Sequence, residues 1–259
     1  MPTTPESRSG QSSTTGNRIT RSPLWVCTRE NVRTMTNPRF SPRVDARPID
    51  TAWPQMPWPP ARDVVLRGRC VELAQADAHR DAAELFAALD HDVVWQHVAG
   101  RPKDVASCAA SLEQAADAGR LPWVVRLTID HAGLKTGAVV GTSSYLEVSA
   151  RDARLEIGYT TYTPAVWAGV VNPETKLLLL GYAFETLNAG RVQLKTDVRN
   201  VRSQQAIARL GAQYEGTLRR YQRRADDTVR DTVLFSILAD EWPAARADLI
   251  VRLDDLLGG

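Results

Sequence analysis

The chain has 259 residues, room for one large domain or two small ones. Its hydrophobic content of 43%, charged content of 24% and net charge of +2 describe a soluble globule and give no sign of a nucleic-acid surface. No apolar run approaches the roughly 20 residues of a membrane helix, and three widely spaced cysteines (Cys27, Cys70 and Cys108) form neither a disulfide framework nor a metal motif; they fit a reducing, cytoplasmic compartment.

Residues 1–60 differ in character from the rest of the chain. Residues 1–36 are rich in Ser, Thr and Arg, with Glu6 and Glu30 the only acids, and have no periodicity, so disorder is expected. The composition weakly resembles an organelle transit peptide, but the poor helical pattern favours an upstream extension or an early start, with Met35 and Met56 as alternative starts. The Pro-rich run at 52–60 excludes helix; its Trp53 and Trp58 are expected to lie extended across a domain or at a substrate groove, with at least one in the core.

A domain spanning 61–259 is expected. Residues 64–66 and 70–73 read as a strand pair around Arg67-Gly68-Arg69. Asp77 is a cap for a helix to about Leu89, with Ala82, Leu85, Phe86 and Leu89 on one face. A second helix fits 104–118 and ends at Gly119. Residues 123–129 and 139–148 read as a hairpin, and Arg151-Asp152-Ala153 turns the chain into a strand at 155–160.

The stretch 156–211 then reads strand, helix, strand, helix. Asn172 is a candidate N-cap, Pro173 suits the first helical position, and 177–187 is strongly apolar. Asn188-Ala189-Gly190 ends that helix, with Gly190 free to become left-handed. Val192, Leu194 and Thr196 alternate with Gln193, Lys195 and Asp197, and a helix at 203–210 closes on Gly211. Residues 212–221 and 228–238 form a last hairpin, and 240–257 a last helix with Pro243 near its start. A helix start just after a strand suits an anion, with N–H donors near Gly169, Val170, Val171 and Asn172; an ordinary capped connection reads the same way.

These pieces, in this order, resemble the GNAT superfamily of acyl-CoA-dependent N-acetyltransferases, in the branch of the Rim-type ribosomal-protein N-terminal acetyltransferases. The matching residues are Glu156-Ile157-Gly158-Tyr159, 167–174, 177–180, 182–185, Arg191-Val192, Asn200, Ser203, Leu210-Gly211 and Glu215-Gly216, within a weaker likeness over about 64–242. The resemblance implies an α/β fold with a mostly antiparallel sheet flanked by helices and a strand–helix–strand acyl-CoA unit. Two departures stand out. Of the usual pyrophosphate-loop glycines only Gly169 remains, beside Val170 and Val171; Asn172, Glu174 and Lys176 look like the Asn-x-Glu-x-Lys version of that helix start. The tyrosine that many members place in the helix after the fifth strand falls on Ile207.

The resemblance also implies the chemistry. Acetyl-CoA is the cosubstrate and no metal is expected. Glu156 draws a proton from the amine through water, unless it is only an exposed carboxylate or a partner of Arg154. The N–H of Tyr159 or Thr160 binds the thioester oxygen if the strand splays. Ser203 matches the Rim-type serine that protonates the thiolate, unless it merely bonds its own helix turn. Asn200 contacts the CoA arm, caps its helix, or does both, and the Rim-type second carboxylate falls on Gln222. Asp90-His91-Asp92 and Trp95-Gln96-His97 are acceptor-side candidates, against a charged loop and an aromatic anchor. Arg199, Arg202 and Arg209 flank the cofactor side, and Arg219, Arg220, Arg223 and Arg224 crowd the last hairpin, either as a solvated face or to attract CoA phosphates or an acidic acceptor. The expected reaction is acetyl transfer to a protein or peptide N-terminus; a small amine acceptor, or an acyl-CoA-binding module without catalysis, remains open, as does the oligomeric state.

Overall fold

The computed structural model describes residues 41, 44–47 and 52–258, and the chain divides into two units, 1–50 and 51–259. The expectations for residues 1–36, with Cys27 and the start at Met35, lie outside the described residues. In the first unit Asp45 accepts bonds from Arg47, at 2.8 Å from both Nε and Nη2.

The second unit opens with an extended run held by side chains. Met56 is buried, and Trp58 packs against the core with its ring edge-on to Tyr145 at 6.2 Å. Trp53 instead stays 59% exposed, its indole N–H on the Arg151 carbonyl.

Strands β1 (Val65–Arg67) and β2 (Val71–Gln75) form the first antiparallel pair. Helix α1 (Ala78–Leu89) starts where the Asp77 carboxylate accepts from Arg80 N–H. The short α2 (Asp92–Trp95) and α3 (Val105–Glu113) follow, α3 opened by an Asp104–Ser107 capping box. Strands β3 (Leu121–Leu127), β4 (Val139–Ser149) and β5 (Arg154–Tyr162) make the meander. Then come α4 (Val171–Gly181, extended by a π turn over Tyr182–Thr186), β6 (Arg191–Asp197), α5 (Val201–Ala208), β7 (Gln213–Arg223), β8 (Val229–Leu238) and α6 (Trp242–Gly258).

The eight strands form one sheet in the order β1-β2-β3-β4-β5-β6-β8-β7, antiparallel except for β5 and β6. One cluster packs Leu179, Leu180 and Phe184 of α4 and Leu249 and Leu253 of α6 on Leu155, Ile157, Leu194 and Phe235. A second, smaller cluster joins α1, α2 and α3 to Val124 and Val139. Helices therefore cover the sheet in two groups, as the α/β expectation required.

Two local expectations are corrected. The α4 N-cap is Val170, not Asn172: Val170 is already helical (φ −73°) and Glu174 N–H reaches its carbonyl at 3.1 Å. Val170 and Val171 are both buried, so packing sets this start without a capping side chain. Pro173 consequently sits at the third helical position, where its missing N–H still costs no helical bond. After the π turn, the left-handed residue is Asn188 (φ +53°) rather than Gly190. Gly190 is small for another reason, since a Cβ there would stand 3.1 Å from Pro54.

Candidate active site

The parallel ladder between β5 and β6 lasts three residue pairs, Arg154↔Arg191 to Glu156↔Gln193, and then stops although both strands continue. Beyond Glu156 the strands are no longer paired with each other. On its other edge β5 carries a bulge. Thr142 pairs Thr161 and Ser144 pairs Gly158, so Ser143 faces both Tyr159 and Thr160, and Tyr159 takes φ +51°. The splay expected at Tyr159 and Thr160 is thus present, and it opens into a cleft of about 830 Å³.

Glu156, Tyr159, Thr160, Gly169, Asn172, Asn200, Arg202 and Ser203 all line that cleft. Val170 and Val171 do not; both are buried behind it as the first packed residues of α4. The backbone needs its positive φ one residue before Gly169, at Ala168 (φ +61°). Gly169 itself has His131 close by, with Nε2 3.3 Å from where a Cβ would sit.

Glu156 is neither exposed nor paired with Arg154, which instead lies 3.9 Å from Asp152. Its carboxylate is buried and ion-paired with Lys195 Nζ at 2.9 Å. The register explains the partner: Glu156 pairs Gln193, and Lys195, two residues on, shares that face. Glu147 joins the group, 2.5 Å from Lys195, from a second bulge where it takes φ +45°. Burial pushes the Glu156 carboxyl above the usual range, and Lys195 offsets this only in part. Burial works against the Lys195 charge too, but Glu147 and Glu156 outweigh it and its pKa rises.

On the α5 side Asn200 caps the helix, its Oδ1 accepting from Ser203 N–H at 3.0 Å. The Ser203 hydroxyl has no hydrogen-bond partner among the described residues and lies on the cleft wall, so it does not close its own turn. The Arg202 guanidinium stacks 3.7 Å above the Trp167 ring, and the Trp167 indole N–H is fixed on the Tyr162 carbonyl.

Lys176 is the residue that pattern reading placed but gave no role. It is buried, and its Nζ reaches Thr160 Oγ1 at 2.6 Å and Ser143 Oγ at 2.9 Å, while those hydroxyls lie 2.8 Å apart. The three groups tie the two sides of the bulge together. Among the described residues no carboxylate joins them, and burial lowers the Lys176 pKa to about 7. Glu174 of the same helix turns away from the cleft and accepts from the N–H groups of Arg69, Cys70 and Val71 at 2.7–2.9 Å, fastening α4 to β2.

The acceptor-side candidates separate. His97 lines the cleft. Trp95 is an anchor: its N–H bonds the Leu89 carbonyl at 2.7 Å and its ring lines a small recess of about 40 Å³ beside Arg120. Asp90 and Asp92 are both paired with Arg101, and His91 precedes α2 without a side-chain cap. Gln222 lines the cleft. In the arginine cluster, Arg223 pairs with Asp227 and Arg224 grips buried Asp197 through Nε at 2.6 Å and Nη2 at 2.9 Å.

A family model described as an acetyltransferase (GNAT) domain matches residues 71–213. A solved acetyltransferase of T. thermophilus is similar at 34% identity over 76% of this chain and 99% of that one, with a TM-score of 0.65. A GCN5-related N-acetyltransferase from Brucella melitensis is similar at 25% identity over 78% and 89% of the two chains, with a TM-score of 0.69. Mycobacterium smegmatis RimJ, solved with CoA-disulfide, shares the fold at 23% identity over 78% and 97%, with a TM-score of 0.60. An N-acetyltransferase p20 of Bacillus licheniformis is 31% identical over 108 residues, 42% of this chain and 60% of that protein's length.

Proposed function

Because the chain belongs to the GNAT acetyltransferase family, we propose that it transfers acetyl from acetyl-CoA to a primary amine, with a protein or peptide N-terminus as acceptor. The observation that carries this reading is the opening beyond Glu156, where a parallel pair parts, β5 bulges at Tyr159–Thr160, and the start of α4 stands at the same cleft. The free N–H groups and dipole at the α4 start suit the CoA pyrophosphate. Gly169 and Asn172 line that approach, with Val170 and Val171 contributing backbone only. Asn200 and Arg202 flank the arm from α5.

In the reaction the amine loses a proton to Glu156 through water, and its lone pair attacks the thioester carbonyl carbon. A raised carboxyl pKa makes Glu156 a stronger base once ionised. Negative charge grows on the carbonyl oxygen, toward the N–H of Tyr159 or Thr160. The C–S bond then breaks, the Ser203 hydroxyl gives its proton to the leaving thiolate, and the second proton lost by the nitrogen as the amide forms restores the hydroxyl through water. The preference for a peptide N-terminus rests on the Rim-type pattern at Asn200 and Ser203. The free, buried thiols of Cys70 and Cys108 suit a reducing compartment, and we place the protein in the cytoplasm. Among the described residues no helix is long and apolar enough to cross a membrane.

The test is acetyl-CoA turnover against a panel of peptides and small amines. Peptide turnover is the expected result. Turnover of small amines alone would move the acceptor class, and binding without turnover would leave an acyl-CoA-binding module.

A further inference from the structure

Resting on the acetyl-transfer reading above, we propose that the acceptor amine carries a carboxylate near the reacting nitrogen, as in a peptide with an acidic residue close to its N-terminus, and that Arg230 binds it.

Arg230 lies on β8 opposite Gln222 and lines the same cleft as Glu156. The antiparallel register sets Thr232 opposite Asp197 and Leu234 opposite Lys195, so Arg230, two residues before Thr232, shares the sheet face of the Glu156–Lys195 pair. Among the described residues its buried Nε has no hydrogen-bond partner and no carboxylate pairs with its guanidinium. Burial works against its charge, and Asp197 and Glu156, which do not touch it, offset this only in part.

The carboxylates around it are already engaged. Asp197 is held by Nε and Nη2 of Arg224 and by Arg199 N–H at 2.9 Å. Glu156 and Glu147 share Lys195, and Asp231 accepts from Arg220 N–H at 2.7 Å. A guanidinium that no carboxylate contacts keeps its donors free, and its edge is shaped for a bidentate carboxylate. The cations near the α5 end of the cleft are Arg202 on α5, Arg209 just after it and Arg252 on α6. Arg230 stands apart from them on the β7–β8 hairpin, on the face where the amine must approach Glu156. Its missing partner therefore belongs to the acceptor.

The experiment compares amines in pairs that differ by one negative charge. Peptides share a first residue and carry Glu or Gln second; small amines are used with and without a carboxylate. The wild-type kcat/KM is expected to favour the acidic member by about 10- to 100-fold, the range of a charge-assisted hydrogen bond. Arg230→Gln should bring the ratio within about threefold of one, and Arg230→Lys should retain part of it, because the charge survives without the fork. A ratio near one in the wild type, or one that persists in Arg230→Gln, overturns the proposal. So does an Arg230→Gln enzyme with a raised KM for acetyl-CoA and an intact ratio, which would make Arg230 a cofactor contact. Calorimetry with the N-acetylated acidic peptide separates this from the reaction itself. If no amine is turned over, the acetyl-transfer reading fails, and equal affinity of wild type and Arg230→Gln for that peptide overturns the Arg230 assignment.

Discussion

Two lysines, Lys176 buried and Lys195 partly buried, line one cleft and are held in opposite ways. Lys195 sits between Glu147 and Glu156, and carboxylates raise its pKa despite burial. Lys176 bonds the hydroxyls of Ser143 and Thr160 and, among the described residues, no carboxylate, and burial lowers its pKa to about 7. The same side chain is thus a fixed cation beside the proposed base and an amine that titrates near neutral pH behind the bulge. Lys176 is the more deeply enclosed of the two, but the partners set the direction of each shift. A hydroxyl satisfies a donor without offsetting a charge, whereas a carboxylate does both.

The largest effects are expected where the fixed pair meets the chemistry. Glu156→Gln keeps the shape and leaves Lys195 with Glu147, so the fold should survive while the maximal rate falls by about 10²-fold or more. Ser203→Ala should lower the maximal rate by roughly 10²-fold with little change in acetyl-CoA affinity, because the bond matters only as the thiolate forms. Steady-state kinetics check both. A near-normal rate in Ser203→Ala would leave water as the acid.

A smaller effect sharpens the contrast itself. In the unfolded chain Lys176 titrates near its ordinary value of 10.5, and in the folded chain near 7. Between these the unfolded state binds one more proton, so stability rises with pH across that window and is lost as pH falls through it. The slope from this residue is at most about 1.4 kcal/mol per pH unit. Lys176→Met should remove it, and denaturant titrations of both proteins from pH 7 to 10 measure the difference. Parallel pH curves would mean that Lys176 stays protonated on its hydroxyls.

The smallest effect is expected outside the cleft. Deleting residues 1–45 should leave the thermal midpoint and acetyl-CoA binding unchanged, since that sequence has no core-forming pattern. A large fall in midpoint would place the segment in the globule.

Much of this architecture was legible in the sequence. Alternation at 191–197, the Asp77 cap and the glycine turns led directly to β6, α1 and the hairpins, because local chemistry decides them. Glu156 and Ser203 were likewise located by the strand and helix that carry them. What remained hidden depends on register and burial. Lys195 meets Glu156 only because three parallel pairs set it two residues beyond Gln193, and Glu147 joins through a left-handed backbone that a glutamate seldom adopts. The start of α4 moved ahead of Asn172 because buried valines, not a cap, begin it. Arg230 carries no signal of its own in the sequence, and only the register puts it in the cleft.

The central claim is that the opening between β5 and β6 binds acetyl-CoA, and calorimetric titration of the full chain with acetyl-CoA tests it most directly. The account predicts saturable binding with a Kd below about 1 mM, within the span of substrate constants typical of enzymes. The absence of binding heat up to millimolar acetyl-CoA, together with an unchanged thermal midpoint at that concentration, would contradict it.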